Sequence, residues 1–173
     1  MWVYWLMFCI PALGSFYHYQ GGNYYIRDLF LRLICLFFVF FIGLRLEIGG
    51  DWFNYLYHYE DISDYTFLNI DWDSRWDPGY ILLEHLSYLF GLGIYGVNFA
   101  CATVLMTGIY FFCQRQPQPF LALLVSVPYM VIIVAMGYTR QSVALGFELL
   151  SLIALTEGRI RHYILWVICA ALY

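Results

Sequence analysis

The chain has 173 residues, of which 63% are hydrophobic and 22% aromatic, while only 12% are charged. Mean hydropathy is +0.70, and a soluble domain carries roughly 25% charged residues, so the polar surface is too small to clothe a globule of this size and a bilayer is the expected solvent. The net charge of −4, with every cation an arginine or histidine and no lysine, excludes a nucleic-acid binder, which needs basic residues to replace phosphate counterions.

The first element, "MWVYWLMFCIPALGSFY", has no basic leader and no small-residue cleavage pattern, and reads as a membrane helix over 2–19 rather than a signal peptide. A spanning helix needs about 20 mostly apolar residues, and the further candidates are 28–45, 95–113, 118–136 and 139–156. The stretch 79–91, "GYILLEHLSYLFG", is short and carries Glu84 and His85, so it predicts a half-membrane or interfacial helix. A sixth span begins at Tyr163, and its remaining residues cover only about 16 Å at ~1.5 Å each. The chain therefore reads as a single transmembrane domain, 1–173, incomplete at its C-terminus. Cys9, Cys35, Cys101, Cys113 and Cys169 all fall in apolar runs and form no CxxC, which argues for small buried hydrophobes over disulfides or a metal knuckle.

Arginine placement gives the orientation. Arg27, Arg32, Arg115, Arg159 and Arg161 alternate with a second set, Arg45, Arg75 and Arg140, which is surrounded by acids. The first set marks the cytoplasm and the second the outside. The loop 46–78 is the one sizeable polar segment, acidic and rich in rings. Interfacial belts account for part of that aromatic content. Rings beside carboxylates also bind sugars, stacking on C–H faces while the acids accept hydroxyl protons.

Several residues of this outer end have the chemistry for a site. Arg45 closes the run "LICLFFVFFIGL"; a lone arginine there snorkels to headgroups, but three outward arginines go against the positive-inside bias and call for an anionic partner, which guanidinium grips bidentately. Asp51 follows Gly49-Gly50, where the backbone can turn sharply. It is a candidate base for an acceptor hydroxyl if burial makes it basic enough, the alternative being an ion pair with Arg45. Arg140 opens the fifth span in "MGYTRQSVALGF", with Gln141 beside it, where helix N–H groups and the dipole favour an anion. Glu148, two turns deeper, is expected to face protein or water, as a hydrogen-bonding group or a proton relay. Glu84 is either a second base or an interfacial cap. "DWD" at Asp71–Asp73 has the form of a metal-binding DxD, but three residues in an acidic loop carry little weight, and no metal or other cofactor is expected.

Together these motifs resemble the EpsG family of exopolysaccharide proteins, which is similar to Wzy-type repeat-unit polymerases. The resemblance rests on Arg45-x-x-x-Gly49-Gly50-Asp51 followed by Trp52 and Tyr55, then "DPGYILLEHLSYLFG" and "GYTRQSVALGF", and runs from about residue 20 to the end. It implies an all-α polytopic bundle, similar to GT-C glycosyltransferases and lipopolysaccharide ligases, in the bacterial inner membrane. Its work would be to join oligosaccharide repeat units carried on undecaprenyl diphosphate, making exopolysaccharide of the kind found in capsule and biofilm. By motif match the resemblance carries over Arg45, Asp51 and Arg140 and, less closely, Tyr55 and Glu84; on these residues the expected site has Arg45 and Arg140 for the diphosphate, Asp51 and Glu84 for catalysis, and Tyr55, Trp52 and Gln141 for the substrate. Membrane lipid and other polysaccharide export proteins are the implied partners. A lipid-linked-sugar transporter or flippase, or a non-catalytic subunit of an export complex, is the alternative; a transporter would concentrate its polar groups at the midplane.

Overall fold

The computed structural model describes residues 2–19, 23–63 and 77–173. These residues are helical almost throughout, and no strand occurs among them. The order is α1 (Trp2–Tyr19), α2 (Tyr24–Gly43), α3 (Trp52–Ser63), α4 (Pro78–Leu89), α5 (Gly93–Gln114), α6 (Pro119–Ser126, continuing as a π-helix over Val127–Ala135), α7 (Thr139–Thr156) and α8 (Ile160–Ala171). Apolar sequence forces this outcome, because backbone groups away from water must bond within their own segment. Local signals set the starts. Asn23 caps α2 through its side chain, which accepts from the Tyr25 amide at 3.1 Å, and Pro78 and Pro119 stand in the first turns of α4 and α6, where a missing N–H costs nothing. The widening in α6 begins beside Pro128, whose ring interrupts the α ladder.

The helix α5 is the spine. It runs antiparallel to α2: Phe99 packs on Phe40 and Gly43 at one end, and Tyr110 and Gln114 hydrogen-bond Asp28 at the other. It runs parallel to α7, with α6 returning between them. The two parallel helices cross where Gly108 meets Gly146: a Cβ at Gly108 would lie 2.5 Å from the Gly146 carbonyl oxygen, and one at Gly146 2.8 Å from that of Val104. Only glycine permits backbones this close.

One core fills the space between α1, α2, α5, α6 and α7, around Met7, Phe38, Leu105, Phe120 and Val131. A second, smaller one joins α3 and α4 to α5 and α7, through Trp52, Tyr55, Tyr80, Val97 and Val143. The polar segment 46–78 is thus not all loop. Trp52, Tyr55, Leu56 and Tyr59 repeat at helical spacing and turn one face of α3 onto this second core.

By length and apolarity together, α5 is the helix among the described residues suited to crossing a membrane; Trp2–Phe16, Pro119–Ala135 and Ile160–Ala171 are apolar but shorter. This is fewer than the five full spans expected. α2 begins with Arg27, Asp28 and Arg32, and α7 carries Arg140, Gln141 and Glu148, which lowers the apolarity of both. The helices themselves lie close to the expected positions, and 79–91 does form the short helix α4. Cys35, Cys101 and Cys113 are buried as expected and all five cysteines are free, but Cys9 is exposed. Glu148 is likewise on the exposed surface of α7, away from the packed interior.

Candidate functional site

Glu148 stands midway along α7, but most charged side chains lie at the two ends of the bundle. At one end Asp28 accepts from Tyr110 and Gln114 and pairs with Arg32 at 2.6 Å, and Arg115 bridges to Glu157 at the foot of α7. The Arg115 hydrogen bond holds the Glu157 carboxyl below its ordinary value of 4.5, against a smaller opposing effect of burial. At the other end stand Arg45, Asp77, Glu84 and Arg140. Arg75 and the "DWD" motif lie outside the described residues.

Arg45 follows the last turn of α2 and is 4% exposed. Its guanidinium donates to the Ala135 carbonyl, to Thr139 Oγ1 at 2.5 Å and to Asn98 Oδ1 at 3.3 Å. It thereby closes the C-terminus of the π-helical stretch, where carbonyls lose their partners, and fixes the first residue of α7 against α5. No ion pair with Asp51 forms among the described residues. The turn that follows is tight: Gly49 has φ +113°, and a Cβ there would sit 2.2 Å from the Met136 carbonyl oxygen. The chain then folds back, and Asp51 stands directly before α3, its backbone carbonyl accepting from Tyr55 and its carboxylate from Asn54 at 3.4 Å. A carboxylate at a helix start is favoured by the dipole, which gives Asp51 a structural role whatever else it does.

Arg140, the second residue of α7, reaches across to α4 and α3. Its guanidinium donates to Asp77 Oδ2 at 2.7 Å, and the Tyr55 hydroxyl is within hydrogen-bonding reach. The pair is partly open, with 31% and 39% of the two side chains exposed. Asp77 occupies the cap position of α4 but makes no capping bond with its side chain. A capping residue whose carboxylate serves another helix breaks a local rule, which is typical of functional sites.

Glu84 is fully buried on α4. Its Oε2 lies 2.8 Å from His58 Nδ1 on α3, and Oε1 has no hydrogen-bond partner among the described residues. Arg140 lies within electrostatic reach of Glu84, as do Tyr55 and Tyr80 of Arg45. Beneath these groups Trp52 and Tyr55 are 4% and 5% exposed; Tyr55 packs on Tyr80 with ring centres 5.4 Å apart, and Trp52 lies near Tyr95. Both the Trp52 and Tyr55 rings are thus almost wholly covered by protein. Gln141 is exposed, next to Arg140.

The structure thus brings Arg45, Tyr55, Glu84 and Arg140 to one end of the bundle. It adds four residues that sequence reading did not single out as site residues: His58, Asp77, Asn98 and Thr139. The signals were present in part. His58 follows Tyr55 by three residues, close to the buried face of α3, and Asn98 is a polar residue inside the long apolar helix α5. Chemically the end offers a partly exposed guanidinium at a helix N-terminus beside a histidine–carboxylate pair. Such a set can hold an anion and move a proton.

Comparison with curated proteins and with solved structures gives no match. A family comparison does, over residues 28–173, which includes every residue of the site just described. That family and the apolar helices indicate a membrane protein connected with exopolysaccharide biosynthesis. The chain belongs to the EpsG family.

Proposed function

We propose that the protein is a glycosyltransferase of the bacterial inner membrane, multi-pass, which polymerises oligosaccharide repeat units carried on undecaprenyl diphosphate at the outer face. The observation that carries this reading is the Asp77–Arg140–Tyr55 cluster at the N-terminus of α7. A guanidinium, a helix dipole and a phenol hydroxyl converge at one partly open point, which is how a lipid diphosphate would be recognised. Asp77 holds the guanidinium in place and gives way to the stronger anion.

Arg140 supports the donor diphosphate and stabilises the charge that develops on it as the glycosidic bond breaks. The two terminal nitrogens of Arg45 stay on protein acceptors, while its charge adds to the field and its contact with Thr139 sets the helix that carries Arg140. The acceptor hydroxyl gives up its proton on the acidic side of the site, where Asp51 and Glu84 stand, and attacks the anomeric carbon. Gln141 and the buried rings of Tyr55 and Trp52 shape the place where the sugars lie. No metal enters this scheme, because the leaving diphosphate is stabilised by cations of the protein.

Deleting the gene and analysing the lipid-linked fraction tests the reading. Single repeat units on the lipid at the outer leaflet, with no polymer, are expected. Units trapped at the cytoplasmic leaflet would overturn it in favour of a flippase. Arg140→Lys keeps the charge and loses the fork; polymer formation is expected to fall by about 10²–10³-fold. Normal chain lengths in this variant would remove the assignment of Arg140.

A further inference from the structure

Glu84 is an awkward residue for a purely structural task. A carboxylate with no exposure is costly to bury, and one that leaves an oxygen without a hydrogen bond among the described residues is costlier still. A tie between α3 and α4 is already supplied by the rings of Tyr55 and Tyr80. The carboxylate also cannot touch a sugar hydroxyl itself, since it lies beneath the surface. What it does touch is the ring of His58, at 2.8 Å, and that ring reaches the surface with 14% of its area exposed.

We propose that His58 is the group that takes the acceptor's proton, with Glu84 as the positioning residue behind it. The inference rests on the polymerase reading above and names the base of that reaction. A buried carboxylate on Nδ1 keeps that nitrogen as the N–H, so that Nε2 carries the basic lone pair; when Nε2 is protonated, the same carboxylate stabilises the imidazolium. Imidazole also suits the task because one of its nitrogens can take a proton while the other keeps its hydrogen bond. Among the described residues, Arg140 from α7, Tyr80 from α4, Tyr59 from α3 and Cys101 from α5 lie within electrostatic reach of Glu84. Arg140 is the one cation among them, and it links the base to the proposed diphosphate seat.

In the step itself, the acceptor hydroxyl oxygen forms its bond to the anomeric carbon as its proton passes to Nε2. The bond from that carbon to the diphosphate oxygen breaks, and the electron pair leaves on the diphosphate beside Arg140. Nδ1–H stays shared with Glu84, and the imidazolium later returns its proton to water.

The test uses membranes containing the whole protein and lipid-linked repeat units extracted from a strain lacking the gene. His58→Asn places an amide N–H near the position of Nδ1, so it keeps a donor for Glu84 without a base. It is expected to accumulate normally and to polymerise about 10²–10⁴-fold more slowly. His58→Gly is expected to regain part of its activity when imidazole is added, and Glu84→Gln to shift the acidic limb of the pH–rate profile. Polymerisation by His58→Asn within about threefold of wild type, with an unchanged pH profile, would overturn the proposal. If the histidine variants do not accumulate, an acidic limb unmoved in Glu84→Gln would overturn it instead. A wild-type protein that makes no polymer from these units would remove the parent reading; an active wild type with an indifferent His58→Asn removes only this inference.

Discussion

Arg45 meets its three acceptors on three other helices, α5, α6 and α7, through its two terminal nitrogens. Its replacement therefore acts on folding before it acts on chemistry. Arg45→Met fills much of the volume but leaves the Ala135 carbonyl and the Asn98 and Thr139 side chains without their donor. A loss of about 2–3 kcal/mol is expected, since hydrogen bonds to a charged group are worth ~1.5–3 kcal/mol; thermal unfolding in detergent measures it. Arg140→Lys, in contrast, is expected to leave the unfolding temperature nearly unchanged, because its bridge to Asp77 is partly exposed and such pairs contribute about 0–1 kcal/mol. The two arginines looked alike in the sequence. Both stand where an apolar run meets a polar stretch, and nothing local tells a buried brace from a rim cation. That difference depends on where α6 ends, 90 residues further along the chain.

The helices were legible because apolar runs of the right length are punctuated by Asn23, Pro78 and Pro119. The helix α3 was not, since tyrosines and acids so close together resemble an interfacial loop, and its periodicity becomes meaningful only once α4 and α5 supply a face to pack on. The crossing of α5 and α7 is the element-scale feature most open to test. Gly108→Ala pushes a methyl group to within 2.5 Å of backbone that cannot rotate away; a cost of about 1–3 kcal/mol is expected from overpacking, read again as unfolding in detergent. At the far end, Arg115 joins the loop after α5 to the end of α7 through Glu157. Because the folded carboxyl titrates below 4.5, the unfolded chain binds the proton first as pH falls. The bridge's contribution is therefore complete above the ordinary carboxylate range and is lost as pH drops through the folded value. Melting temperatures of wild type and Arg115→Gln should differ at pH 7 and converge in acid, and salt should shrink the difference.

Taken whole, the molecule has a polarity that its arginines announce. Arg32, Arg115 and Arg159 gather at one end, and Arg45 and Arg140 at the other. Large apolar side chains such as Trp2, Trp5, Leu13, Phe16, Leu29, Ile164 and Ile168 face outward along the length between, more apolar surface than a water-soluble monomer shows. In the orientation proposed, a cysteine at Tyr57, which is 64% exposed, should react with a membrane-impermeant thiol reagent added outside intact cells. One at the exposed Gln118 should react only after the inner membrane is opened, with the five native cysteines replaced. The reverse pattern would invert the topology and put the Arg140 end in the cytoplasm.

The wide winding of Val127–Ala135 has a consequence for how the two ends of the chain are geared together. A stretch bonded i to i+5 accommodates more residues per turn than the α-helix on either side, so it works as a reservoir of slack directly upstream of Arg140. Were one residue excised there, the backbone would have an easy route back to ordinary α winding. Everything downstream would then swivel by the difference between the turn lost with that residue and the turn regained as the rest rewinds to α, and Arg140 would be re-aimed by that difference. The bulk of α7 would still be helical. A shortened α6 of this kind separates two demands that natural sequences must meet at once, building the helix and aiming its first turn.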